Sequence, residues 1–457
     1  MSAPTLDLKE KLTLDFQAFE QSLNGQSKSP IHATRKQAIT RFAELGFPTV
    51  RHEEWKYTNV MPAVRHDYAV LTAPSTPSQT LAQTLSKADV EPFLIPAMNA
   101  QNANVVVVVN GVFAAELSSI KAQSGLEVMS FAEALQHHAS GVEQHFAHYA
   151  RFDNDAFVAL NTAFARDGVF MRVAKGTVVE KPLHLVFVSD CRQKSVLAQP
   201  RCLFVLGDGA EATVVESYHS IGANAATPAF VSVVGEAVLG ANAVFHHNKI
   251  QNDSEHSTFI GTLQAHQAAS SVFNSVVVTL SGGLVRNNLN TTLAASGTDT
   301  HYYGLTLVGG KTLADNHTFV DHAMPHCTSN ELYKTILDER STGVFNGKIL
   351  VRQDAQKTLA YQSNRNILLS KDATMNNKPQ LEIFADDVKC SHGAATGQLD
   401  EEPMFYLQAR GIGKDQARAM LLYAFAGEIV EKISNEALRK HIERIVAERL
   451  HQELDFS

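Results

Sequence analysis

Apolar residues recur every three or four positions near the start of the chain. Leu12, Phe16, Phe19 and Leu23 form a stripe along one side of a helix. The same period predicts a second helix over Ile31 to Leu45, ended by Gly46 and Pro48. RHEEWKYTN follows, Arg51 to Asn59, with the single tryptophan of the chain; one Trp among helix ends reads as a packing anchor. Pro, Ser and Thr crowd Ala73 to Gln79, the composition of a linker. The period then shortens. ANVVVVVNGVF, Ala103 to Phe113, opens a strand-rich region, interrupted by one helical stretch from about Phe131 to Phe164. From Gly168 onward short β-branched runs alternate with Gly, Asn and Asp, as in LHLVFVSD and SSVFNSVVVTL.

These runs repeat. Val214, Val244, Val272 and Tyr302 each open a similar strand, at spacings of 30, 28 and 30 residues. Strand units at such a period, with no helices between them, are the pattern of stacked coils in a β-solenoid. A β-sandwich or double-stranded barrel also has many short strands. A run of roughly 200 residues of such units favours the solenoid. From Glu401 the helical period returns. EEPMFYLQARG makes a short helix closed by Gly411, and Ala417, Met420, Leu421, Ala424, Phe425 and Val430 mark the apolar face of a longer one. A last helix, from about Asn435 to Leu454, is charged on most sides. The expected organisation is a helical segment over 1–100, a mainly β body over 101–400 with a helical insert near 131–164, and a helical segment over 401–457.

With 457 residues the chain calls for two or three structural units, unless the fold is elongated. Its 44% apolar and 19% charged residues are those of a soluble globular protein. A net charge of -8 and the lack of a basic block argue against nucleic acid or an anionic membrane as partner. The longest apolar run, Val105 to Val109, is far short of a bilayer span. No secretory signal is visible at the start, so the cytoplasm is the expected compartment. Cys191, Cys202, Cys327 and Cys390 are then free thiols, and none forms the Cys-x-x-Cys pair of a zinc ribbon or thioredoxin motif.

Candidate chemistry is sparse. GLTLVGGKT and GVFNGKI imitate a phosphate-binding loop, but both have the wrong length, and their apolar β-branched residues read as strand. No Gly-x-Ser-x-Gly elbow occurs. DNHTFVDHAMPHC brings His317, His322 and His326 close in sequence, which suggests a metal-dependent hydrolase or isomerase on a β body. Against it, His317 and His322 are an odd number of residues apart, so one continuous strand would aim them oppositely. Cys390-Ser391-His392 sets a thiol beside an imidazole, and Lys389 would favour the thiolate. At a spacing of two on a strand the side chains share a face and point outward together. That suits joint display better than a base aimed at a nucleophile.

Four segments carry a resemblance. RHEEWKYTN, FNGKILVRQDAQKTLAYQSNRNILLS (Phe345 to Ser370), KPQLEIFADDVKCSHGAATGQLDEE (Lys378 to Glu402) and FYLQARGI (Phe405 to Ile412) together resemble the SufD family. That family belongs to the SUF system of iron–sulfur cluster assembly, and the likeness covers nearly the whole chain in order. It implies a right-handed parallel β-helix flanked by helical domains, and a non-enzymatic scaffold. It implies two partners: a SufB-like paralogue, and a SufC-like ABC-type ATPase. His392 matches the position associated with the cluster-building interface, where it would be a transient, shared metal ligand, with Cys390 beside it as the weaker candidate. Phe405, Tyr406, Arg410 and Gly411 would dock the ATPase. SufB-like chains often carry an amino-terminal Cys-x-x-Cys cluster, and in the late motif a sequence nearer Glu-His-Glu-Ala; this chain has neither. Four scattered cysteines cannot hold a complete cluster by the usual four thiolates, so no cofactor is expected to stay on this chain alone. Flavin has been connected with the family's three-component complex, and nothing in this sequence forms a recognisable flavin motif. An exposed solenoid edge also invites pairing of two copies of the isolated chain.

Overall fold

A computed structural model describes residues 7–21, 23, 29–68, 85–99 and 101–451. The expected linker at Ala73 to Gln79 lies outside the described residues. Two long sheets, of ten and eleven strands, form the body. The first wall begins with Val112–Phe113, Asn104–Val109 and Leu183–Asp190, and continues through Glu211–Ile221, Val244–Asn252 and Val272–Ser281. It ends with Asp299–Val308, Thr328–Leu337, Leu359–Leu368 and Lys389–Gly397. The second wall runs from Leu126–Ser130 and Gly168–Val173 to Leu313–His322, Thr342–Val351 and Thr374–Asn377. Neighbours are parallel except for the antiparallel pair at the amino-terminal end of each wall. The chain alternates between walls, which makes a β-solenoid of about eight turns between 168 and 397.

One corner explains the repeat and corrects its phase. Gly209, Asn242, Ser270, Gly297, His326 and Lys357 all have φ between 57° and 77°, and each stands two residues before a strand of the first wall. The left-handed residue turns the chain sharply, so each coil restarts in register with the last. Structurally equivalent positions are Glu211, Val244, Val272 and Asp299, spaced by 33, 28 and 27. Val214 and Tyr302 therefore lie three residues inside their strands. The apolar run at those positions is what the sequence displays, and the corner, not the run, sets the coil length.

Alternate residues of both walls face a packed lumen. Phe245 stacks on Phe273 at 5.7 Å between ring centroids, and Tyr302 meets Phe273 edge-on at 5.9 Å. Helices cover the outer faces. Leu8–Gln21 and Pro30–Leu45 bury Leu12, Phe16, Phe19 and Phe42 with Ala156–Ala163 against Phe230, Ile260 and Leu284 of the second wall. Lys414–Val430 and Glu436–Arg449 pack on Ile250, Val278, Leu305 and Ile336 of the first wall. The buried face of Lys414–Val430 is Ala417, Ala419, Leu422, Ala426, Ile429 and Val430, rotated from the expected one: Met420, Leu421 and Phe425 are only partly covered and Ala424 is exposed. This helix is apolar on more than one side, so the wall it lies on chooses the face. Among the described residues no helix is long and apolar enough to cross a membrane.

Candidate functional site

The solenoid ends at Lys389–Gly397, which pairs on one side with Leu359–Leu368 and on the other with no strand among the described residues. Register fixes where its side chains stand. Ala360, Gln362, Asn364 and Asn366 are the buried residues of the preceding strand, and they lie beside Cys390, His392, Ala394 and Thr396. Those four continue the lumen-facing columns. The Thr396 hydroxyl accordingly accepts from Asn366 Nδ2 at 3.2 Å and Asn377 Nδ2 at 3.0 Å.

Cys390 and His392 share a face, as their spacing requires, but it is the inward face rather than an outward one. His392 is exposed, and among the described residues no further coil covers it. Cys390 packs against the lumen core and is half-buried. Burial pushes its thiol up, against a weaker pull from its hydrogen bond with the Ala360 backbone. This reverses the expectation of a thiolate favoured by Lys389 and the imidazole, so Cys390 is not a primed nucleophile.

Behind His392 a polar column runs inward. Tyr302, Glu331, Gln362 and His392 occupy one register position in successive strands. Glu331 is fully buried and accepts from Thr318 Oγ1 at 2.5 Å and from Gln362 Nε2 at 3.3 Å. Burial pushes its carboxyl up to about 7 in spite of both bonds.

The helix Glu401–Ala409 follows the last strand and buries none of its residues. Asp400 caps it, accepting from the Glu402 N–H at 3.0 Å. Phe405 is 73% exposed and Tyr406 57%. The Arg410 guanidinium lies 4.9 Å from the Tyr406 ring centroid, and Gly411, at φ 87°, turns the chain toward Lys414–Val430. Two exposed aromatic rings and an arginine make a surface of the kind used in contacts between proteins.

The three sequence-adjacent histidines do not converge. His317 faces outward, its ring 2.9 Å from Asp315 Oδ1 and 3.4 Å from Glu54 Oε2. His322 faces the lumen and meets Ser329 Oγ at 2.9 Å; burial lowers its pKa to about 4. His326 is a corner residue with φ 59°. Among the described residues no group of three or more His, Cys, Asp or Glu side chains could hold a metal ion.

The sequence gives no sign of the partners that the Trp55 segment finds. Arg286 lies 3.8 Å over the Trp55 ring and donates to the Glu54 carbonyl at 2.7 Å and to Asp315 Oδ2 at 2.8 Å. Thr58 Oγ1 donates to the same Asp315 oxygen at 2.6 Å. Burial alone would raise the Asp315 carboxyl, but His317 and Arg286 beside it carry it down to about 2. Trp55 is thus an anchor, as expected. Its motif clasps the second wall and leaves a cleft of about 550 Å³ beside it, lined by His52, Arg286, His317 and Lys348. Asn346 Nδ2 donates to Glu54 Oε2 at 3.1 Å, so only coil stacking brings residues 54, 286, 315 and 346 together.

Comparison with known proteins covers most of the chain. Residues 187–425 match the model described as SUF system FeS cluster assembly, SufBD core domain, and residues 7–185 match the SufBD protein N-terminal region. An iron-sulfur cluster assembly SufBD family protein of Synechocystis sp. is 33% identical over 93% of this chain and 92% of its own length. The iron-sulfur cluster assembly protein SufD of Escherichia coli K12 is 30% identical, over 93% of this chain and 94% of its own. SufD of Bacillus subtilis is 26% identical over 69% and 72%.

Proposed function

This chain belongs to the SufBD family of SUF iron–sulfur cluster assembly proteins, and on that premise we propose that it is a non-enzymatic scaffold subunit. It pairs with a SufB-like paralogue and docks a SufC-like ABC-type ATPase in the cytoplasm. The nascent cluster is cargo, held between the two β-solenoids and not kept by this chain alone. One observation carries the reading: an uncapped coil puts His392 and Cys390 on its inward face beside a strand edge with no neighbour among the described residues. An imidazole there can donate one ligand to iron while thiolates come from the facing subunit. Cys390, half-buried with its thiol pKa raised, is the weaker donor.

The exposed helix carrying Phe405 and Tyr406, with Arg410 and Gly411 at its end, is the docking surface for the ATPase. ATP-driven movement of that partner would reach the open coil through the carboxy-terminal helices packed on the first wall. Without its paralogue the same strand edge can receive a second copy of the chain. On this reading 1–100, 101–400 and 401–457 act as clasp, scaffold body and docking unit.

Co-expression with the neighbouring ATPase and paralogue tests the reading. The tagged chain should retain both partners. Phe405→Ala with Arg410→Ala should release the ATPase alone, and His392→Ala should keep both but assemble less cluster. A pure chain that stays monomeric and binds neither protein would overturn the assignment.

A further inference from the structure

Gln362 stands one rung behind His392 and is 3% exposed. Its Nε2 donates to Glu331 Oε1 at 3.3 Å. Its Oε1 is buried and has no hydrogen-bond partner among the described residues. The residue opposite makes this arrangement fit: a Cβ added to Gly347 would come within 2.3 Å of Gln362 Nε2 and 2.7 Å of Cδ. Gly347, in the FNGKI stretch that imitates a phosphate loop, leaves the space in which the amide lies. Glu331 is held in turn by Thr318 Oγ1 at 2.5 Å. Three residues on three other strands, Glu331, Gly347 and Thr318, thus fix an amide whose acceptor is unused. Burying a carbonyl without a partner is unfavourable, and the next residue in its column is the exposed His392.

We propose that Gln362 is the positioning residue of His392: its Oε1 accepts a hydrogen bond from one imidazole nitrogen and so leaves the lone pair of the other facing the open end of the solenoid. Adjacent strands are about 4.8 Å apart, and the register sets the two side chains on neighbouring rungs of one column. A histidine that binds a metal commonly donates its second ring N–H to such an acceptor, which fixes the tautomer and makes the ligand more basic. The inference rests on the scaffold reading for its purpose, but the hydrogen bond belongs to the isolated chain and is testable there.

The experiment uses the full chain labelled with ¹⁵N-histidine, with the His392 ring signals identified by their absence in His392→Ala. At one fixed pH the wild type should show a single dominant tautomer for His392. Gln362→Met, of similar shape without the acceptor, should return His392 to the mixed tautomers of an exposed histidine. Gln362→Glu, which keeps an acceptor, should restore the bias. Equal tautomer ratios in wild type and Gln362→Met would overturn the proposal. Should Gln362→Met fail to fold, Gln362→Leu decides in the same way. In the co-expressed complex, loss of such an outer partner weakens metal binding by about 10–100-fold, so Gln362→Met should lower cluster yield about tenfold. If His392→Ala leaves cluster yield unchanged, the scaffold site is wrong while the tautomer result still stands.

Discussion

Glu331 is a carboxyl group carried into the solenoid against its own preference, and replacing it with glutamine makes that cost measurable. Its pKa rises from the ordinary 4.5 to about 7 because burial removes water from the charged form. A group whose pKa is higher in the folded chain binds more protons folded than unfolded. Stability is therefore greatest below the unfolded value and falls as pH rises through the folded one. At about 1.4 kcal/mol per pH unit, the loss approaches about 3 kcal/mol by neutrality and then levels off. Glu331→Gln has no charge to desolvate, and its amide fits the same partners. Its oxygen accepts from Gln362, and the Thr318 hydroxyl turns to accept from its N–H. Near pH 5 the two proteins should be similar; near pH 8 the variant should be more stable by about 3 kcal/mol. A solenoid need not unfold in one step. The suitable assay is hydrogen exchange of the amides in Thr328–Leu337 and Leu359–Leu368, the strands on either side of the column. A stability difference that is the same at both pH values would refute the argument.

Trp55→Ala removes the ring under Arg286 and beside Phe157, whose centroid is 5.4 Å away. It should cost about 3–5 kcal/mol, seen as early protease cleavage of the amino-terminal segment while the later coils stay protected. Arg201→Met breaks a fully buried pair with Glu236, which also accepts the N–H groups of Ala147, Tyr149 and Ala150. Hydrogen exchange of the amides in Arg201–Leu206 and Ala229–Leu239 should register about 3–5 kcal/mol, against about 0–1 kcal/mol for Lys175→Ala at its exposed pair with Asp208. Cys390 should be the first thiol modified by a water-soluble reagent. Its rate should climb steadily with pH through neutrality, because burial holds the thiol above its ordinary range. Cys191, Cys202 and Cys327 are buried and should react only after denaturation. Rapid, pH-independent labelling of Cys390 at neutral pH would instead reveal a stabilised thiolate.

Periodicity alone established the elements and their order. The stripe Leu12, Phe16, Phe19 is the buried face of its helix, and the period near 30 residues is that of a stacked coil. Alternation also fixed which residues share a face: Cys390 with His392, and His317 apart from His322. What alternation cannot state is which of two faces is inside. That depends on how the coil closes, and the corner residues with positive φ decide it. The same limit explains the rotated face of Lys414–Val430, a helix apolar on more than one side. Exposure of His392 is also a tertiary fact: it holds a lumen-facing position and meets solvent because no strand among the described residues pairs beyond it. The contacts of Arg286 with Trp55, and of Gln362 with Glu331 and Gly347, join residues 15 to 231 positions apart. Their chemistry is written in the sequence, but only stacking of the coils brings them within reach.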